Sequence, residues 1–120
     1  NHRKRIDWQK VFLFWSDERA VPPYDPASNY RMAMDAGFAK LGIPAQHIFR
    51  MQAEGNIEDG AVAYEGFIKK TLPDGSFDLV MLGMGDDGHT ASLFPKTHGL
   101  HAPGRVAIAN YVPQLQTWRM

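Results

Sequence analysis

The sequence predicts an α/β fold with a mainly parallel sheet and flanking helices. Apolar runs of strand length alternate along the chain with segments whose apolar residues recur at helical spacing. The strongest strand candidate is residues 77–82 (FDLVML), where a single aspartate interrupts the apolar run and glycine follows at once. Such runs are typical of parallel strands that are buried on both faces. Ligands bind just past the carboxyl ends of these strands, so the loop after residue 82 is the first candidate site.

The first part of the chain predicts a strand, a loop and a helix. Residues 11–15 (VFLFW) are a continuous run of aromatic and branched side chains, which favours a buried strand. Residues 21–27 contain three prolines and therefore predict an extended loop. Ser28 is suited to cap a helix, which Gly42 and Pro44 would end. The apolar stripe of this helix consists of Tyr30, Met34, Phe38 and Leu41.

The remaining elements repeat this alternation. Residues 48–51 are a short strand candidate, Asn56 is suited to cap a second helix, and residues 73–76 form a turn into the strand at 77–82. The apolar face of the second helix consists of Ile57, Ala61, Tyr64, Ile68 and Leu72. A last strand candidate is residues 106–110. Because no repeat or linker interrupts this order, we expect residues 1–120 to form one α/β domain, which is incomplete.

Composition and charge limit the partners of the protein. The chain is 44% hydrophobic and 22% charged, as in ordinary globular proteins. Thirteen basic and thirteen acidic residues give a net charge of zero, which argues against general binding to nucleic acid or to anionic membranes. All the acidic residues lie at or before Asp87, whereas Lys96, Arg105 and Arg119 follow it. This distribution suits either an anionic ligand or a solvated basic face.

Cysteine is absent, which excludes a disulfide framework and a thiolate nucleophile and favours a cytoplasmic location. No apolar run reaches the length of a membrane span, and residues 1–10 lack the apolar core of a signal peptide. The sequence begins at Asn1 rather than Met and ends at Met120 in what resembles the opening of another strand. We therefore expect these residues to be an internal segment of a longer protein.

The loop after the strongest strand candidate contains a glycine pattern that resembles a dinucleotide fingerprint. Gly83, Gly85 and Gly88 match G-x-G-x-x-G. That fingerprint requires a long helix after the third glycine and an acidic residue about 20 positions further on. Here Pro95 follows soon after the third glycine, and no acidic residue occurs beyond Asp87. The sequence therefore argues against a nicotinamide or flavin cofactor.

His89 is the side chain in this loop that is best suited to proton transfer, because its unperturbed pKa of about 6.5 lets it take and give a proton near neutrality. Asp87 or Asp86 could hold its imidazole, and Asp17 or Glu18, after the first strand, could face it. The glycines would let backbone N–H groups approach a ligand oxygen. Two other interpretations stay open. His89 could be an ordinary loop histidine, or it could bind a metal together with His98, His101 and an aspartate.

The chain resembles the 6-phosphogluconolactonases. The motifs that carry the resemblance are WSDERAVPPYDPASNYRMA at 15–33, FDLVMLGMGDDGHTASLFP at 77–95 and, more weakly, WRM at 118–120. They match the middle half of a family member. The resemblance implies a Rossmann-like α/β fold similar to that of the sugar-phosphate isomerases. It also implies hydrolysis of 6-phosphoglucono-δ-lactone to 6-phosphogluconate in the oxidative pentose phosphate pathway, with no metal or organic cofactor.

The resemblance also implies roles for individual residues. His89 matches the general base that activates water, Asp17 would lie beside it, and Asp87 could orient it. Residues implied to bind the phosphate, the sugar hydroxyls or the reacting carbonyl are Arg19, Asn29, Gly83, Gly85, Gly88, Thr90 and Arg119. The partner would be a small phosphorylated sugar lactone.

The nearest competing family is glucosamine-6-phosphate deaminase, which resembles the same fold and also carries an Asp-Glu pair and a loop that ends in Asp-Gly-His. That family tends to follow the pair with tyrosine and the histidine with a segment that contains glutamate. Here Arg19 and residues 90–95 (TASLFP) occupy those positions. A competitor of another class is a non-catalytic segment that binds sugar phosphates.

Overall fold

The structure is a computed structural model that describes residues 2–120, and it contains two α-helices, four short strands and several 3₁₀ turns. We expected an internal segment of a longer protein partly because the sequence begins at Asn1, and Asn1 lies outside the described residues. The helices are α1 (Asn29–Ala36) and α2 (Ile57–Thr71). The strands are β1 (Leu13–Phe14), β2 (Ile48–Phe49), β3 (Asn110–Val112) and β4 (Thr117–Arg119). The 3₁₀ turns are His2–Arg5, Trp8–Lys10, Phe38–Lys40, Ala45–His47, His98–His101 and Pro113–Leu115.

Two pairs of strands form the sheets of the described residues. β1 and β2 are parallel, with Leu13 opposite Ile48. β1 lies at the centre of the strand predicted at 11–15, and β2 is the first half of the strand predicted at 48–51. β3 and β4 are antiparallel, with Asn110 opposite Arg119. The backbones of Glu18 and Met120 exchange two hydrogen bonds of 2.9 Å, so the end of the described chain runs beside the residues that follow β1.

Both predicted helices are confirmed, and local hydrogen bonds explain where they start. The Ser28 hydroxyl accepts from the Arg31 N–H, and the Asn56 side chain accepts from two N–H groups in the first turn of α2. α1 ends at Ala36, earlier than predicted, because Gly37 adopts φ +143°. A separate 3₁₀ turn, Phe38–Lys40, continues toward Gly42.

The core lies where one face of α2 packs beside β1 and β2. Tyr64 is 2% exposed, and its hydroxyl accepts from the Trp15 N–H at 2.7 Å and donates to the Trp15 carbonyl at 3.1 Å. The buried cluster consists of Met51, Ala53, Ile57, Ala61, Tyr64, Ile68, Ala107 and Met120. This packing fixes the end of β1, from which the candidate site begins.

The prediction of a strand at 106–110 is wrong in its position. The carboxylate of Glu65 on α2 accepts from the N–H groups of Val106 and Ala107, at 2.7 and 3.3 Å. A strand would use those N–H groups in its ladder. The strand therefore starts only at Asn110.

The prediction of a buried strand at 77–82 is also wrong for the described residues. The segment forms no ladder there, and Leu79 and Met81 are each 74% exposed. It nevertheless starts beside β1, because the rings of Phe77 and Phe14 meet edge to face at 5.5 Å. A strand depends on neighbouring strands for its backbone hydrogen bonds, and none of the four described strands pairs with this one.

Across residues 2–120, no helix has both the length and the apolar character needed to cross a bilayer.

Candidate active site

A cavity of about 290 Å³ lies between the end of β1 and the glycine loop after residue 82. Its lining consists of Ser16, Asp17, Gly83, Met84, Gly85, His89 and Ala91. Four of the predicted site residues therefore meet here, from segments that are far apart in the sequence. The cavity is a concave, largely polar space with a titratable base and a carboxylate in its wall.

Asp87 holds the imidazole of His89. One oxygen of its carboxylate lies 2.5 Å from Nδ1 of His89 and also accepts from the His89 backbone N–H at 3.1 Å. These hydrogen bonds lower the pKa of Asp87, so the carboxylate is ionised and can only accept. Neutral His89 then carries its proton on Nδ1, which leaves the lone pair on Nε2 as the basic position.

Packing fixes the ring of His89 further. It stacks on Phe94 with centroids 4.1 Å apart. The ring also lies so close to Gly85 that a Cβ there would stand 2.1 Å from Cε1 of the imidazole. Any residue other than glycine at position 85 would clash with the His89 ring.

The glycine loop is closed by its own hydrogen bonds. The Gly85 N–H donates to the His89 carbonyl at 2.8 Å, and the Gly88 N–H donates to the Gly85 carbonyl at 2.9 Å. Gly88 has φ +82°, a conformation that favours glycine. The Thr90 hydroxyl donates to the Gly83 carbonyl at 2.8 Å. The N–H groups of Gly85 and Gly88, which we expected to approach a ligand oxygen, are therefore used to shape the loop.

The carboxylate of Asp17 is fixed by donors from two other segments. The Asn29 amide donates to Oδ1 of Asp17 at 2.9 Å and to its backbone carbonyl at 3.0 Å. The Ser92 hydroxyl donates to Oδ2 at 2.7 Å. The resemblance implied that Asn29 binds the substrate, and in the structure its side-chain amide donates to Asp17.

Glu18 explains why Asn29 lies beside Asp17. Its side chain is buried, with the residue 2% exposed, and it accepts from the N–H groups of Asn29 and Tyr30 at 2.7 and 2.9 Å and from the Ser28 hydroxyl at 3.0 Å. This ties the start of α1 to the end of β1. The N–H groups of Asn29 and Tyr30 are therefore capped by Glu18, and Asp17 is the carboxylate of the pair that faces the cavity.

Arg19 and Arg119 lie side by side. Their backbones form an antiparallel bridge, which follows from the pairing of Glu18 with Met120. Burial lowers the pKa of Arg119, and the positive charge of Arg19 lowers it further. The Arg19 guanidinium also donates to the Ala27 carbonyl at 2.6 Å. Two neighbouring guanidinium groups repel each other, and an anion between them would relieve that repulsion.

The alternative metal site is not formed by the described residues, since residues 2–120 contain no group of three or more His, Asp or Glu side chains that could hold a metal ion. His98 and His101 lie in a separate 3₁₀ turn.

Met84, Ala91 and Ser92 belong to the site or touch it, and no pattern in the sequence assigned them to it. Ser92 lies 75 positions from Asp17, and no spacing pattern in the sequence connects the two. Ser16 directly precedes Asp17 at the carboxyl end of the first strand, which was the available signal for it.

A sequence model of one protein family, described as glucosamine-6-phosphate isomerases/6-phosphogluconolactonase, matches residues 1–120. The chain belongs to this family. Its relatives include proteins named 6-phosphogluconolactonase. One from Chlamydia pneumoniae is 47% identical over 120 residues, which are 100% of this chain and 45% of that protein. One from Chlamydia trachomatis is 49% identical over 114 residues, 95% of this chain and 43% of that protein.

The family's solved structures confirm the α/β fold class. The crystal structure of a 6-phosphogluconolactonase from Thermotoga maritima superposes with a TM-score of 0.79 at 29% identity, covering 95% of this chain and 51% of that one. The chain thus spans about half the length of the relatives that it matches. The resemblance found in the sequence motifs is confirmed, together with its extent.

Proposed function

We propose that the intact protein hydrolyses 6-phosphoglucono-δ-lactone to 6-phosphogluconate, a step of the oxidative pentose phosphate pathway. The observation that carries the proposal is the pair formed by His89 and ionised Asp87, 2.5 Å apart, in the wall of a cavity. This pair supplies a general base. The names of the relatives, at 47% and 49% identity, supply the substrate class.

In the proposed reaction, Nε2 of His89 takes a proton from a water molecule as the water oxygen attacks the lactone carbonyl. The bond between the carbonyl carbon and the ring oxygen then breaks, and the proton on Nε2 passes to the departing oxygen, which becomes a hydroxyl group. The new carboxylic acid releases its own proton to solvent. A positioned general base contributes about 10²–10⁴-fold, which is a sufficient contribution for a reactive ester.

Asp17 and Asp87 have different roles in this proposal. Asp87 keeps the proton of neutral His89 on Nδ1, and Asp17 places a negative charge in the same cavity, where it stabilises the imidazolium that forms. Arg19 and Arg119 are proposed to bind the phosphate, because guanidinium groups match its geometry.

The other predicted binding residues are proposed to shape the site. Gly83 and Gly85 line the cavity on the side where the substrate would lie. Asn29, Gly88 and Thr90 hold its walls through the hydrogen bonds described above. No metal or organic cofactor takes part in the proposed steps, and a cytoplasmic location stays a prediction from the cysteine-free sequence.

The experiment compares two substrates with the intact protein. We expect hydrolysis of 6-phosphoglucono-δ-lactone, followed as acid release at constant pH, to exceed the spontaneous rate by several orders of magnitude. Ammonia release from glucosamine 6-phosphate would instead support the deaminase alternative. The family description names glucosamine-6-phosphate isomerases beside the lactonase. Binding of 6-phosphogluconate without turnover of either substrate would favour the non-catalytic alternative and contradict the proposal.

A further inference from the structure

Ser92 connects the loop that carries His89 to the carboxylate of Asp17. Its hydroxyl donates to Oδ2 of Asp17 at 2.7 Å, across 75 positions of sequence. We propose that Ser92 is a positioning residue that fixes the Asp17 carboxylate in the cavity it shares with His89. The inference rests on the proposed lactone hydrolysis and assigns a role to a side chain outside the expected site.

The two oxygens of Asp17 are held from different sides of the site. Asn29, at the start of α1, donates to Oδ1 at 2.9 Å, and Ser92 donates to Oδ2 at 2.7 Å. Asn29 alone would leave Oδ2 without this donor, and the carboxylate could rotate about the bond to its Cβ. With both donors in place, the plane and the direction of the carboxylate are fixed. An electrostatic contribution to catalysis depends on such preorganisation, because a group that must reorient during the reaction loses much of its effect.

The backbone of Ser92 is itself held firmly. Asn110, which is 2% exposed, donates to the Ser92 carbonyl at 2.9 Å and accepts from the Gly99 N–H at 2.9 Å. A Cβ on Gly99 would stand 2.8 Å from the Asn110 side chain, so Asn110 fits closely into the loop. Ser92 is 5% exposed, and its hydroxyl is therefore directed by buried, hydrogen-bonded surroundings.

The turn that contains Ser92 adopts an unusual conformation. The Leu93 N–H donates to the Thr90 carbonyl at 2.9 Å, and Ala91 inside this turn has φ +50°. Few non-glycine residues adopt positive φ, and such residues concentrate at functional sites where the surroundings hold them. In this turn the conformation brings the Ser92 hydroxyl to Asp17 while Ala91 lines the cavity.

The bond also sets the position of the loop relative to β1. Ser92 lies three positions after His89, and Phe94, which stacks on His89, lies two positions after Ser92. The hydrogen bond to Asp17 thus ties the segment that carries the base to the segment that carries the second carboxylate. Its loss would loosen the relative placement of the two groups, on which the reaction depends steeply.

The test is a double-mutant cycle on the intact protein, with Ser92→Ala, Asp17→Ala and the double variant. Because a positioning residue acts on the reacting state, we expect Ser92→Ala to lower kcat for the lactone about 10-fold while KM changes less than about 3-fold. In the Asp17→Ala background the same substitution should change kcat less than about 2-fold, since the group through which it acts is gone. Ser92→Thr retains the hydroxyl and should recover most of kcat.

Glu65→Gln is the matched control, because it weakens the fold away from the site. The carboxylate of Glu65 accepts hydrogen bonds from Lys69, Arg105 and the N–H groups of Val106 and Ala107. In the described part of the chain, none of these residues bonds to Asp17, Ser92 or His89. We expect Glu65→Gln to lower the unfolding temperature at least as much as Ser92→Ala does and to keep kcat within about 3-fold.

Three results would overturn the inference while the wild-type protein is active: an unchanged kcat in Ser92→Ala, an equal fall in kcat in both backgrounds, or an equal fall in Glu65→Gln. An Asp17→Ala variant with the kcat of wild type would also overturn the inference if Ser92→Ala lowered kcat. Ser92 would then act independently of Asp17. A wild-type protein that does not exceed spontaneous hydrolysis would instead overturn the proposed function, and this inference with it.

Discussion

Gly85→Ala should inactivate the protein without unfolding it. Gly85 has no positive φ that would exclude alanine, and the three atoms nearest to an added Cβ all belong to the ring of His89. The Cβ would stand 2.1 Å from Cε1, 2.3 Å from Nδ1 and 3.0 Å from Nε2 of the imidazole. The ring is the end of a flexible side chain, so we expect it to move and the loop to stay folded.

The distances give the size of the effect. Ordinary contact begins at 3.4 Å, so the ring must retreat by about 1.3 Å from the new Cβ. A displacement of about 1 Å at a reacting group can cost about 100-fold in rate. The displaced ring also loses its hydrogen bond to Asp87 and its stacking on Phe94. We therefore expect kcat to fall at least about 100-fold, while the free energy of unfolding falls by only about 1 kcal/mol.

The assay is hydrolysis of 6-phosphoglucono-δ-lactone by the intact protein, with the spontaneous rate subtracted, together with unfolding in urea. Gly66→Ala is the control, because Gly66 lies in α2 and an added Cβ there meets nothing within 4 Å. That variant should keep full activity. If Gly85→Ala retained kcat within about 3-fold of wild type, the placement of His89 against Gly85 would be refuted as a requirement for catalysis.

Three further predictions concern Asp87 and the core. Asp87→Asn removes the charge that holds the proton on Nδ1 of His89, so kcat for the lactone should fall about 10- to 1,000-fold in steady-state assays. Glu65→Gln should lower the free energy of unfolding in urea by about 2 kcal/mol at pH 7. The reason is that hydrogen bonds to Lys69 and to loop N–H groups lower the pKa of Glu65 from 4.5 to about 2. Solvent screens part of that interaction, which keeps the expected loss below the full value of the shift. Tyr64→Phe should cost about 1–3 kcal/mol in the same assay, because the partly buried Trp15 backbone loses its side-chain partner.

Each of these predictions has its own control. Asp86→Asn changes the neighbouring carboxylate and should keep kcat within about 3-fold, whereas equal losses in both variants would contradict the role given to Asp87. The pKa of Glu65 is lowered in the folded protein, so its contribution is complete above pH 4.5 and disappears as the pH falls toward 2. A stability difference between Glu65→Gln and wild type that stays constant over that range would contradict the assignment. Tyr24→Phe, at a residue 76% exposed, should leave stability unchanged.

The features that the sequence predicted best depend on contacts between near neighbours in the chain. Ser28 and Asn56 cap their helices through residues two or three positions away, and Asp87 reaches His89 across two positions. Such contacts leave a pattern that can be read from residue types and spacing. The resemblance to the family then assigned chemistry to Asp17 and His89, and the structure places both in one cavity.

The predictions that failed depend on distant residues. The strand at 77–82 needs neighbouring strands, and the described residues supply none that pair with it. The strand at 106–110 starts late because Glu65, about 40 positions earlier, takes its N–H groups. Glu18 also illustrates this limit. Its place directly after a strand made it a candidate to face His89, and in the structure its buried carboxylate instead caps α1.

The most direct test of the central claim is the rate of 6-phosphoglucono-δ-lactone hydrolysis by His89→Ala in the intact protein, measured beside wild type at neutral pH. Nε2 of His89 is the proposed base, so the variant should lose about 10²–10⁴-fold in kcat and keep its unfolding transition. A folded His89→Ala variant with the turnover of wild type would contradict the account.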